Sequence, residues 1–128
     1  MAIADIHTML IKSSPYRSVE IISENGLVIA TGCYYSNQSE IALFIARVGD
    51  ELILTDNGRT RSYMDEVFEL TEPDVIKNIL AVTSYYGINT KGKQLSIRLG
   101  TNCDDYVGGY LKMMYCIGFL NDMSMFYT

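Results

Sequence analysis

The 128-residue chain has no tryptophan, only two prolines, one histidine and three cysteines. Each shortage excludes something. Cys33, Cys103 and Cys116 are an odd number without CxxC spacing, and His7 has no second histidine, so neither a disulfide framework nor a zinc site is supported. No metal and no cofactor is expected. A His/Cys pair made from His7 and one of the thiols has no nucleophile motif around it. The cysteines read instead as small buried hydrophobes in a reducing compartment, the cytoplasm. No apolar run approaches the roughly 18 to 20 residues that span a bilayer, and Met1-Ala2-Ile3-Ala4-Asp5 lacks the basic start of a signal peptide, so no membrane partner is expected. Also missing are a GxxxxGK[ST] loop, a GxGxxG after a strand, HExxH and GxSxG. With no catalytic set in view, the expectation is a protein that is not an enzyme.

What is present fits one α+β domain over residues 1–128. Hydrophobic residues make up 48% and charged residues 20% of the chain, and a chain of this mass is expected to bury about two-thirds of its extended surface. Ala2–Ile11 places Ile3, Ile6, Met9 and Leu10 on one helical face, ended by Ser13-Ser14-Pro15. Val19–Ile22 and Leu27–Tyr34 are β-rich and flank Glu24-Asn25-Gly26, where Asn-Gly favours left-handed dihedrals. Ile41–Val48 and Glu51–Thr55 flank Gly49-Asp50 in a second hairpin. Both are nearly continuous apolar runs, as in central strands covered by helices. Ser62 and Asp65 outline a capping box for a short helix, and Thr71-Glu72-Pro73 opens another that Gly87 closes. Gly87–Leu99 reads as a third hairpin around Lys91-Gly92-Lys93, near a sheet edge. A long helix capped by Thr101 or Asn102 follows, with Tyr106, Val107, Tyr110, Leu111, Met114, Ile117 and Gly118 as its apolar stripe. The expected architecture is a mainly antiparallel sheet of two to three hairpins with helices packed on it.

The net charge of −5 is unevenly placed. Asp65, Glu66, Glu69, Glu72 and Asp74 occupy ten residues without a Lys or Arg, whereas residues 1–64 balance at −2 and residues 75–128 at +2. Two readings apply: carboxylates that favour helix N-termini, or an acidic recognition patch. Leu54-Thr55-Asp56-Asn57-Gly58-Arg59-Thr60 runs a strand into an Asp-Asn-Gly turn and then a helix. Side chain to backbone bonds and a positive φ at glycine explain that spacing. The active-site alternative makes Asp56 a base or metal ligand beside Arg59 and Arg61, without a second acidic motif to complete it.

These features, in order, resemble the domain of unknown function family numbered 1828, which comprises small proteins or modules of bacteria and their phages. The matching elements are the Val19–Tyr34 hairpin, the strand Glu51-Leu-Ile-Leu54, the Thr55-Asp56-Asn57-Gly58 turn with Arg59-Thr60, Tyr86-Gly87-Ile88, the Gly92 hairpin and the apolar C-terminal helix, spanning Ser18–Phe126. Its sharp motif is the turn, where this chain has Asn57 in place of a common second Asp, which weakens a metal-binding reading. The resemblance implies the fold and a phage or bacterial-cytoplasm context, and no catalytic role.

The last helix is the main interaction candidate. Met113, Met114, Phe119, Met123, Met125, Phe126 and Tyr127 crowd its apolar surface, more than one buried stripe needs. The alternative is a helix wholly buried in its own domain. Gly108 and Gly109 inside it imply close packing on the sheet or on a second copy. The leading expectation is therefore a non-catalytic phage or mobile-element protein that binds another protein and forms a homodimer through this helix. A specific form is an inhibitor of a host defence nuclease, such as an anti-CRISPR, using Asp65–Asp74 as a phosphate mimic. The second expectation is a nucleic-acid-binding or nuclease accessory module with Arg59, Arg61, Lys91, Lys93 and Arg98 as its basic face and Tyr85 and Tyr86 for stacking.

Overall fold

The computed structural model describes the chain except residues 1, 14–15, 68–72, 101 and 128, and except the side chains of 103 and 124–127. Helix α1 (Ile3–Ser13) leads into strands β1 (Ser18–Ser23), β2 (Gly26–Tyr34), β3 (Glu40–Val48) and β4 (Glu51–Thr55). Helices α2 (Arg59–Val67) and α3 (Pro73–Tyr85), strand β5 (Ser96–Leu99) and helix α4 (Cys103–Tyr127) complete the order. The five strands form one antiparallel sheet in sequence order, so the α+β expectation holds.

Alternation along the strands decides where the core lies. Val19, Leu27, Ile29, Ile41, Leu43, Ile45, Leu52, Leu54 and Leu99 face one side and are buried with Ile3, Ile6 and Leu10 of α1 and with the inner face of α4. Cross-strand pairs such as Leu27↔Ile45↔Leu54↔Ile97 keep these side chains in register across the sheet. His7 Nε2 donates to the Val19 carbonyl at 2.8 Å and ties α1 to β1. The lone histidine thus acts in a helix-to-strand tie rather than in a thiol pair.

β3 and β4 are interior strands, as expected, and their helix cover lies over the core face, while the opposite face is more open. Val28, Ala30, Ala42, Phe44, Ala46 and Ile53 alternate with the core residues and are only half-buried. Among the described residues, no helix packs over them; the Arg59 guanidinium lies 5.2 Å from the centre of the Phe44 ring. Small alanines make continuous apolar runs compatible with a sheet face that carries no helix.

Local differences have equally local causes. Neither Asn25 nor Gly26 takes a positive φ; the first hairpin turns through Glu24-Asn25, with a register shift between Ile21 and Ser23. The second hairpin does place Gly49 at φ 64°. Helix α2 starts three residues before the expected Ser62 cap, because Asp56 provides the cap instead. The third hairpin shrinks to a single Asn89↔Ser96 bridge and a 3₁₀ turn at Lys91–Lys93, and β5 pairs with β4 at the sheet edge. Gly87 at φ 69° closes α3, with the Ile88 amide on the Thr83 carbonyl and the Gly87 amide on Ser84, both orphan carbonyls of the last turn.

Helix α4 opens with a reciprocal cap. Asp105 N–H donates to Asn102 Oδ1 at 3.0 Å, and Asn102 N–H donates to Asp105 Oδ2 at 3.3 Å. Thr101, the other expected cap, and Thr71, the expected cap of α3, lie outside the described residues. The two adjacent glycines of α4 divide in role. A β-carbon on Gly109 would fall 2.3 Å from Leu99 Cδ2, whereas one on Gly108 would meet nothing within 4 Å. Thermal unfolding is therefore expected to show Gly108→Ala raising stability by up to about 1 kcal/mol through helix propensity. Gly109→Ala is expected to gain nothing or to lose stability as Leu99 is displaced. A stabilising Gly109→Ala would contradict close packing of α4 on β5.

Candidate interaction surfaces

The Asp-Asn-Gly turn joins three parts of the fold. Asp56 is fully buried, and both carboxylate oxygens are occupied: Oδ1 accepts from Gly58 N–H and Leu95 N–H, each at 2.9 Å, and Oδ2 from Thr60 N–H at 3.0 Å. The first and third bonds cap α2; the second fixes the segment leading into β5. The Asp56 N–H in turn donates to the Leu95 carbonyl at 3.2 Å. Thr55 Oγ1 accepts from Asn57 N–H and donates to Gln94 Oε1, a second link to the same segment. Asn57 and Gly58 both turn with positive φ, 59° and 80°, a conformation Asn tolerates better than most non-glycine residues. The carboxylate expected as either a turn former or a base is engaged in the turn.

A polar cleft of about 260 Å³ opens beside it, lined by Tyr35, Asn37, Glu40, Asn57, Arg59, Tyr63 and Glu66 among others. Its floor is a stacked pair, Tyr35 on Tyr63, with ring centres 4.7 Å apart. Tyr35 Oη bonds Thr60 Oγ1 at 2.7 Å and Tyr63 Oη bonds Ser36 Oγ, so the pair anchors the 35–40 loop to α2. Burial pushes the Tyr35 hydroxyl up to about 12 and keeps it protonated at neutral pH. On the rim, Glu40 accepts both Arg17 bonds at 2.8 Å and a Gly32 N–H, and the Arg17 bond holds its carboxyl below the usual range. Asn37 donates to Glu66 Oε2 at 3.2 Å. The cleft therefore brings the turn motif and one member of the acidic run to a single place.

The acidic run itself is split by the fold. Asp65 and Glu66 are exposed in the last turn of α2, the end at which the helix macrodipole disfavours negative charge. Asp74, in the first turn of α3, fits the helix N-terminus explanation. Glu69 and Glu72 lie outside the described residues. Helix electrostatics thus accounts for Asp74 and not for Asp65 or Glu66; Glu66 has the Asn37 bond as a local role, and among the described residues Asp65 has no such bond.

Helix α4 has two different long sides. Tyr106, Tyr110, Met113, Cys116, Ile117, Leu120 and Met123 are buried, so the inner stripe is rotated from the expected one: Met113 enters the core and Leu111 leaves it. Met113 and Met123, two of the expected interface residues, are taken up inside the domain, and Met114 is half-buried. Phe119 is 55% exposed, and Tyr115 at 63% and Leu111 at 41% continue its line at four-residue steps. The side chains of Met125, Phe126 and Tyr127 lie outside the described residues. Alongside, α3 exposes Ile76, Leu80 and Tyr85, the last at 82%, and a hollow of about 420 Å³ lies among Ala81, Val82, Tyr85, Tyr86 and Phe119. Leu111 was expected in the buried stripe, because which side of α4 turns outward depends on how the helix packs on the sheet, and Tyr85, expected on a nucleic-acid face, lies beside Phe119 instead.

The basic residues divide between two places and do not form one face. Arg98 pairs with Glu51 at 3.0 Å on the open sheet face, and Arg59 lies over Phe44. Arg61 and Lys93 line a separate apolar groove with Met64, Ile79 and Leu95. Among the thiols, Cys33 is exposed and Cys116 is buried, its proton held up to about 12 by burial. Among the described residues, no group of three or more His, Cys, Asp or Glu is placed to hold a metal, and no helix is long and apolar enough to cross a membrane.

No family model, curated protein or solved structure was found to match the chain.

Proposed function

We propose that this is a non-catalytic binding domain that works by gripping another protein, in the setting of a bacterial cell infected by a phage or carrying a mobile element. The observation that carries this reading is the apolar surface left outside the core on α3 and α4: Leu80, Tyr85, Leu111, Tyr115 and Phe119. Exposed aromatic and aliphatic residues grouped on adjacent helices are characteristic of protein interfaces. The Asp56 carboxylate, the most prominent candidate for chemistry, is used in holding the turn. The resemblance carried by Leu54–Gly58 supports the phage or bacterial context. Arg59 and Arg98 lie on the open sheet face, where Glu51 pairs with Arg98, and Arg61 and Lys93 line a separate groove; the absence of one continuous basic face among these four favours a protein partner over nucleic acid.

Within this reading, the partner is a host defence nuclease, and the Asp65–Asp74 run presents charge where nucleic-acid phosphates would lie. Asp65 supports it most, because an exposed carboxylate at a helix C-terminus is disfavoured by the macrodipole, and Glu66 is offset there only by its Asn37 bond. Affinity capture from host lysate with the wild-type chain and with a Tyr85→Ser, Phe119→Ser variant tests the apolar surface; loss of the partner in the variant is expected. Replacing the five acids by Asn and Gln is expected to weaken binding of the captured nuclease and to flatten its salt dependence. Unchanged affinity and salt slope would rule out the phosphate mimic.

A further inference from the structure

The outer face of α4 has an internal symmetry that selects its occupant. Tyr115 and Phe119 lie at equal distances along the helix from Ile117, and so do Lys112 and Asp122, about 7.5 Å to either side at 1.5 Å per residue. Lys112 and Asp122 are exposed, and among the described residues neither has an ion-pair partner. We propose that this face binds a second copy of the chain, with the two α4 helices antiparallel about a two-fold axis at the level of Ile117.

That arrangement sets Tyr115 against the partner's Phe119, and sets each Lys112 level with the partner's Asp122. Both contacts occur twice, as an isologous interface requires. Gly118, where a β-carbon would meet nothing within 4 Å, leaves a notch beside Phe119 for the partner's Tyr115 ring. A parallel pairing of the same helices would put Lys112 beside the partner's Lys112 and Asp122 beside the partner's Asp122. Charge complementarity therefore favours the antiparallel register. This inference rests on the reading of α4 as a binding surface and names what binds it.

Sedimentation equilibrium on the full chain tests it with Lys112→Asp, Asp122→Lys and the double variant, all at exposed positions. The wild type is expected to dimerise. Each single reversal creates two like-charge contacts per dimer and is expected to weaken association about fivefold or more, and the double variant to restore it. A dimer indifferent to both single reversals would place the contact elsewhere, such as the open sheet face, and overturn the proposal. A monomer at every concentration would also overturn it, while the capture experiment decides separately whether the surface binds a different protein.

Discussion

Asp56→Ala is expected to cost about 3 kcal/mol or more of folding stability, the largest effect of any single substitution at the turn. Three backbone N–H groups, those of Gly58, Thr60 and Leu95, lose their side-chain acceptor at once. An intramolecular hydrogen bond contributes roughly 0.5 to 1.5 kcal/mol net, and a donor left buried without a partner costs about 1 to 3 kcal/mol. Water entering the space left by the carboxylate offsets part of that sum. Against the roughly 5 to 15 kcal/mol that holds a typical domain together, the loss lowers the melting temperature by about 10 °C or more. Asp56→Asn keeps one oxygen acceptor and is expected to fall between the two. Circular dichroism melting curves check both. An Asp56→Ala protein that melts with the wild type would show that the carboxylate is not the clamp described, and would reopen a chemical role for it.

Met113→Ala and Phe119→Ala, six residues apart on one helix, are expected to separate fold from binding. Met113 is completely buried, and truncating a buried Met typically costs about 2 to 5 kcal/mol through lost contacts and the cavity left behind. Phe119 is more than half exposed, and its truncation is expected to change stability by about 0.5 kcal/mol or less. In binding the order reverses: Phe119→Ala impairs association, and Met113→Ala affects it only through loss of folded protein. Chemical denaturation gives the first comparison and sedimentation the second. Equal destabilisation by the two substitutions would mean that Phe119 is also a core residue.

The strands were legible because alternation and turn residues are local signals. β4 has the expected bounds of Glu51–Thr55, and β2 differs from expectation only by gaining Gly26. The start of α2 was not legible, since Ser62 and Asp65 have the spacing of a cap while the true cap, Asp56, comes from the turn before and is held by Leu95, 39 residues away. The same long-range bond explains why the turn motif stood out in sequence although its purpose did not. For α4, periodicity showed that the helix has more apolar residues than one stripe needs. Which of them turn inward depends on Gly109 packing against Leu99, a tertiary contact that rotates Met113 in and Leu111 out. The acidic run was visible as composition, but its division between the end of α2 and the start of α3 required the helix boundaries.

That the outer face of α4 binds a second copy of the chain is tested most directly by hydroxyl-radical footprinting as the protein is concentrated from the low micromolar to the near-millimolar range. Tyr34, 55% exposed at the end of β2, serves as the internal reference. Tyr115 and Phe119 are expected to lose reactivity with rising concentration while Tyr34 keeps its own. Rings on α4 that stay as reactive as Tyr34 throughout, or protection that instead falls on Phe44 and Ile53 of the open sheet face, would contradict the account.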